Sequence, residues 1–219
     1  MARVSQAHLD ARRQQILDGA AACFSRNGFH ATSMQDVLQE VGLSAGAVYR
    51  YFRSKDEMIA AIVNGVLETL GASFAERSRD PMPLRPAETV MQVVRRMWEM
   101  LNERGITPTL IIQVWAETTR NPELAARLRE GLGVVVDGWS AIVRKYQELG
   151  WLDPGVPPSS VARTMVATVQ GFILQQPMLG ESGRLDLGQL DVLEAGLRAL
   201  TGMSPPGAEE ASGAGGTER

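Results

Sequence analysis

Residues 32–55 read Thr32-Ser-Met-Gln-Asp-Val-Leu-Gln-Glu-Val-Gly-Leu-Ser-Ala-Gly-Ala-Val-Tyr-Arg-Tyr-Phe-Arg-Ser-Lys55. Thr32 or Ser33 is placed to cap a short helix whose inner face is Met34, Val37, Leu38 and Val41. Gly42 makes a turn, and Leu43 is an apolar plug beside it. Ser44 caps a second short helix that puts Val48 and Phe52 one turn apart on its buried side. Ser54-Lys55-Asp56-Glu57 then opens a third helix as a capping box. Helix, glycine turn and helix over about residues 33–52 is a helix-turn-helix, the layout in which the second helix enters the DNA major groove.

Upstream, His8 to Asn27 reads as a helix with Ile16, Ala20, Cys23 and Phe24 on one face, stopped at Asn27-Gly28. Downstream, Met58, Ile59, Ile62, Val63, Val66, Leu67 and Leu70 form a broad apolar stripe on a helix reaching about Glu76. Residues 77–86 read as a loop. Helices follow at 87–103, 107–119, 122–149, 159–178 and 187–201, with Pro122 suited to a first helical position and Gly131 and Gly133 placed to bend their helix. From Ser204 onward Gly, Ala, Pro and Glu dominate, and a disordered tail over 204–219 is expected. The expected fold is all-α: a helix-turn-helix unit over 1–55, a larger helical domain over 56–203, and the tail.

From about Arg12 to Val63 the chain resembles the DNA-binding signature of the TetR family of bacterial transcription regulators, with Val48-Tyr49-Arg50-Tyr51-Phe52 among the matching residues. The resemblance implies that Tyr49 and Tyr51 touch the phosphate backbone. Thr32, Ser33, Ser44 and Lys55 align with further phosphate-contact positions, and the serines and threonine also serve as helix caps. From the residues themselves, the start of the Ser44-capped helix offers free N–H groups to a phosphate. Ala45-Gly46-Ala47 has almost no side-chain bulk, which suits close approach to base edges; tight packing against the preceding helix is the alternative for Gly46. Arg50 can reach guanine or a phosphate.

Charge distribution agrees with a one-faced DNA binder. The formal net charge is -3, yet residues 1–55 carry seven basic against four acidic side chains. One cysteine, Cys23, excludes an internal disulfide. No run of about 20 apolar residues or secretory signal is read, so no membrane partner and a cytoplasmic location are expected. Two histidines and one cysteine make a metal site implausible, and no cofactor is expected. Gly42-Leu-Ser44-Ala-Gly46 fits the G-x-S-x-G elbow of serine hydrolases. That chemistry needs a preceding strand and a downstream histidine, whereas His8 and His30 are both upstream.

The rear helices carry the remaining expectations. In the family this region dimerises and usually binds a small molecule. Val161, Met165, Val169, Phe172 and Ile173 form one stripe, and Leu187, Leu190, Leu193, Leu197 and Leu200 another. Either stripe suits a two-fold helix seam or the subunit's own core. Met97, Trp98, Trp115, Trp139 and Met165 are candidates to line an effector cavity, with Gln113, Glu117 and Gln170 as polar groups that orient a ligand. The apolar stripes hold no cationic cluster, which points to an uncharged or cationic, largely apolar effector. The function expected is a homodimeric repressor released from an inverted-repeat operator by a small molecule. An activator or effector-independent regulator is the alternative, and a serine hydrolase a remote one.

Overall fold

The computed structural model describes residues 6–77, 84, 86–178 and 188–201. They form α1 (Gln6–Asn27), α2 (Met34–Val41), α3 (Ala45–Tyr49), α4 (Lys55–Arg77), α5 (Pro86–Glu103), α6 (Pro108–Glu117), α7 (Pro122–Glu148), α8 (Pro158–Met178) and α9 (Gly188–Thr201), with no strand among the described residues. The expected tail and most of the loop before α5 lie outside the described residues, as does Leu187.

Local chemistry sets the helix ends of the front unit. Gly28 leaves α1 at φ +88° and its N–H reaches Phe24 O at 2.9 Å, a conformation that glycine adopts without a Cβ penalty. Ser33 caps α2 in a reciprocal box: its hydroxyl accepts from Asp36 N–H, and the Asp36 carboxylate accepts from Ser33 N–H at 2.7 Å. Thr32 is not a cap. Its hydroxyl donates to Gly28 O at 2.8 Å and Cys23 O at 3.3 Å, and the residue is 1% exposed. At α4 the box is offset by one residue: Ser54 Oγ accepts from Glu57 N–H, while Glu57 accepts from Arg53 N–H at 2.7 Å.

Ile16, Ala20, Phe24, Val37, Val48 and Phe52 form the interior of α1–α3, and the apolar cluster runs on through Met58 and Ile59 into the rear helices. Helix α4 is long and apolar enough over Lys55–Phe74 to cross a membrane, by length and composition. Its apolarity has a use inside the protein: α4 packs on α1 and α7 and lines a cavity.

Helix α7 passes through Gly131 and Gly133 as one helix. A Cβ on Gly131 would lie 2.1 Å from Leu67 Cδ1, and one on Gly138 would lie 2.7 Å from Phe74 Cβ and Cγ. These two glycines let α7 approach α4 closely, whereas a Cβ on Gly133 would meet open space. Helix α9 packs on α5. Arg95 of α5 holds Asp191 at 2.9 Å and Glu194 at 3.4 Å.

Candidate nucleic-acid interface and effector cavity

Helix α3 presents its short side chains outward. Ser44, Ala45, Gly46, Tyr49 and Arg50 are exposed, Ala47 is half-buried, and Val48 beneath them is fully buried. Ser44 Oγ accepts from Ala47 N–H at 3.4 Å, so the serine hydroxyl serves the helix start. A Cβ on Gly46 would meet nothing within 4 Å, which removes tight packing as the reason for that glycine. Tyr49 is 46% exposed for so large a side chain, while Tyr51 leans partly onto the core. Arg50 closes the helix as its C-cap residue. Ser33 is exposed at the start of α2.

Two of the expected phosphate contacts, Thr32 and Lys55, are engaged inside the protein instead. Thr32 is buried and its hydroxyl is spent on carbonyls of the last turns of α1 and of Gly28 just after it. The Lys55 ammonium donates to Phe29 O at 2.8 Å, His30 O at 3.1 Å and Thr32 O at 3.1 Å, and lies 4.8 Å from the centre of the Phe29 ring. Its three donors are therefore all engaged. Lys55 is an internal staple that fixes the α1–α2 connection to the start of α4. Nothing in the spacing of the sequence pointed to that role.

Around this face, Arg26 and Glu40 pair at 2.6 Å, and the guanidinium holds the Glu40 carboxyl below its ordinary range. The Asp36 carboxyl is lowered too, first by the Ser33 backbone N–H and then by its hydroxyl. Burial, with Glu40 nearby, pushes the Cys23 thiol up, so it stays protonated. The hydrolase reading has no support: α2 stands where a strand is needed, and both histidines precede Ser44. Among the described residues no group of His, Cys, Asp and Glu is arranged to hold a metal.

Behind the front unit, α4, α5, α6, α7 and α8 enclose a cavity of about 500 Å³. Aliphatic side chains make most of its wall, with Phe74, Trp115 and Trp139 as its aromatic surfaces. Of the eight expected effector residues, Met97, Trp115, Trp139 and Gln170 line it. Four do not. Trp98 is fully buried with its ring 5.9 Å from that of Phe172, and Met165 packs against the core. Gln113 and Glu117 face the front unit instead: Gln113 Oε1 accepts from Phe29 N–H at 2.7 Å, and Glu117 Oε2 meets His30 Nε2 at 2.9 Å. Ser25 of α1 adds a bond to Gly105 O at 2.8 Å, just before α6. Helix α6 thus carries cavity residues Leu110, Ile111, Val114 and Trp115 and also grips the α1–α2 connection. A smaller polar cleft of about 260 Å³ lies between α1 and α4, with Arg13, Asp18, Glu68 and Arg104 on its walls.

The expected seam residues mostly face inward. Leu190 and Leu193 are buried in their own subunit, Ile173 is buried and lines the cavity with Val169, and Phe172 lies beside Trp98. Leu197 is half-buried against the core, and Val161 is half-buried. The side chain of Leu200 lies outside the described residues. The apolar side chains that α8 and α9 leave outside are others: Met178 is 79% and Val192 64% exposed.

Residues 16–62, the span of this helix-turn-helix and its supports, match the family described as bacterial regulatory proteins, tetR family. The HTH-type transcriptional repressor Rv1474c of Mycobacterium tuberculosis is 40% identical over 207 residues, covering 90% of this chain and 99% of that protein. The HTH-type transcriptional regulator UidR of Escherichia coli K12 is 27% identical over 190 residues, covering 87% of this chain and 91% of its own length. Among solved structures, SmeT, the repressor of the Stenotrophomonas maltophilia multidrug efflux pump SmeDEF, aligns with a TM-score of 0.64 at 27% identity. The alignment covers 90% of this chain and 94% of SmeT; a SmeT–triclosan complex aligns equally well, with a TM-score of 0.67. With a 40% identical relative spanned end to end and the head's own residues matched, the chain belongs to the TetR family and is a DNA-binding transcriptional regulator, not an enzyme.

Proposed function

We propose that this regulator represses transcription from an inverted-repeat operator as a cytoplasmic homodimer, and that a small molecule entering the cavity behind the head releases it. The observation that carries the release step is the double duty of α6, which lines the cavity and holds Phe29 and His30 of the head. A ligand shifts DNA affinity only by preferring one arrangement of the head over another. Displacing Ile111 or Trp115 moves the same helix that carries Gln113 and Glu117. Helix α4 supplies a second rigid link, because it runs from the Lys55 staple into the cavity wall.

In this reading residues 1–55 are the DNA-binding domain and 56–203 the effector and dimerisation domain. Ser33, Ser44, Tyr49 and Tyr51 sit against phosphates, Ala45, Gly46 and Ala47 lie along base edges, and Arg50 reads a base. Thr32 and Lys55 hold the head in shape. The seam uses the outward face of α8, where Ala167, Gly171, Leu174 and Met178 follow at helical spacing, and of α9, where Val192, Ala195 and Ala199 do the same. A Cβ on Gly171 or Gly196 would meet open space within the subunit, which leaves room for a partner helix.

Selection of genomic fragments on the purified protein at two salt concentrations tests the proposal. An enriched inverted repeat is expected, bound by two copies. Sequence-blind binding that disappears with salt would leave only a basic surface.

A further inference from the structure

Arg129 of α7 is the sole ionisable side chain among the described residues that line the 500 Å³ cavity. It is exposed, so it stands at the cavity's mouth. Its neighbours at three and four residues on α7 are Ala125, Ala126, Leu132 and Gly133, none of them charged. It has no ion pair or hydrogen bond among the described residues. Arg127, two residues earlier, is by contrast paired with Glu123 at 2.8 Å. One further polar side chain of the lining, Gln170 of α8, has no hydrogen-bond partner among the described residues. Thr118 donates its hydroxyl to Trp115 O at 2.7 Å.

The lining therefore discriminates by charge. It offers no carboxylate, so a cationic ligand would enter with its charge unpaired among apolar walls, which is strongly unfavourable. It offers a single guanidinium, whose planar fork matches a carboxylate in a bidentate pair. A single guanidinium matches one carboxylate, and the lining beside it, Leu128, Leu132 and Val135, offers no partner to a second charge. The apolar wall needs an apolar body, and at the roughly 30 Å³ that one water occupies in the liquid the cavity holds on the order of 15 to 20 non-hydrogen atoms. We infer that the effector is a monoanionic amphipath, an apolar body of that size bearing one carboxylate, with the carboxylate on Arg129 at the mouth and any mid-body hydroxyl or carbonyl on Gln170. The inference rests on reading the cavity as the effector site. It replaces the uncharged or cationic effector expected from sequence, because the stripes gave no sign that Arg129 borders the cavity.

The test uses Trp115 and Trp139, which line the cavity and report occupancy by their fluorescence. Full-length protein is titrated below micellar concentrations with dodecanoate, 1-dodecanol and dodecyltrimethylammonium, and with biphenylcarboxylate to tell a flat body from a flexible chain. One or both carboxylates are expected to bind and to lower affinity for the selected operator. Arg129→Gln, a change at an exposed position, is expected to weaken the carboxylate at least about tenfold, as a bidentate charge-assisted pair gives way to at most one neutral amide donor, and to leave dodecanol binding unchanged. Each methylene added to the chain tightens binding about threefold to fourfold until the cavity is full. Dodecanol or the ammonium binding as tightly as the carboxylates, or Arg129→Gln without effect on any of them, would overturn the anion assignment while leaving the cavity as effector site. No binding of any probe by a protein that still holds its operator would overturn both.

Discussion

In the head, Ser33 and Ser44 tie their side chains to backbone groups at the starts of short helices, and Thr32 and Lys55 tie theirs to carbonyls where α1 ends and joins α2. In the body, α7 lies on α4 through Gly131 and Gly138, where Leu67 and Phe74 fill the space that a Cβ would take. The head spends polar bonds to hold an exact shape in eight- and five-residue helices too short to persist alone. The body uses long helices and close apolar contact, and it encloses a cavity beside that contact. A surface that must match DNA needs rigid, locally specified geometry. A chamber suited to the proposed ligand needs walls that shift without unfolding, which volume-based packing around an empty space permits.

The largest effect is expected where α7 meets atoms next to the α4 backbone. In Gly138→Val the new Cβ would stand 2.7 Å from Phe74 Cβ and Cγ, atoms close to the α4 backbone that cannot swing aside. The helices must separate, at a cost of about 3 kcal/mol typical of overpacking. Urea unfolding measures it, and a loss below about 0.5 kcal/mol would show that the α4–α7 contact is plastic.

Next in size is the staple. Lys55→Met keeps an apolar stem over Phe29 but leaves the carbonyls of Phe29, His30 and Thr32 without their donor. A loss of about 2 kcal/mol is expected, as for a hydrogen-bonded charged group, and amide exchange in residues 28–33 should speed up. Operator binding weakens because the head loosens, yet the slope of log K against log salt is unchanged. A lysine on a phosphate would instead reduce that slope by about 0.9, and that result would reverse the assignment made here.

A smaller effect is expected at the cap of α2. Ser33→Ala removes a hydroxyl acceptor and should cost about 1 kcal/mol. The Asp36 carboxyl accepts from the same residue and is held below its ordinary value. Its contribution is therefore present above the ordinary carboxylate range and is lost as pH falls through the lowered value. In wild type the head should loosen on acidification below about pH 4. Ser33→Ala should show a shallower loss, because the hydroxyl part of the shift is gone while the backbone part remains. Parallel acid curves for the two proteins would mean that the hydroxyl contributes nothing to holding Asp36.

The helices of both regions were legible because Gly28, Gly42, Pro122 and the serine caps punctuate the chain, and because the apolar stripes have the helical period. The helix-turn-helix was legible for the same reason, with its buried side (Val48, Phe52) separated by spacing alone from its outer side. What spacing does not carry is which neighbour a face meets. Gln113 and Glu117 are polar positions on an apolar helix, and only the fold brings Phe29 and His30 to them from more than eighty residues away. Trp98 and Trp115 look alike in sequence, yet one is sealed in the core and the other borders the cavity. The leucine stripe of α9 has the right period for a seam and was equally suited to the core. Arg95, by holding Asp191 and Glu194, helps set α9 on α5 with Leu190 and Leu193 inward.

Gly46 gives the smallest energetic effect and the sharpest sign. It sits in α3, a Cβ there would touch nothing within the protein, and no left-handed angle requires glycine. Gly46→Ala should then stabilise the free protein by roughly 0.5 kcal/mol, since alanine is the better helix former. Stability and function should part company at this residue. If glycine is there so that α3 can lie against base edges, the added methyl falls between helix and DNA, and operator affinity drops while melting temperature rises. The two are measured on one preparation, by thermal unfolding and by operator titration. Affinity that rises with stability would mean that α3 stands off the bases at Gly46, and that reading passes to Tyr49 and Arg50 alone.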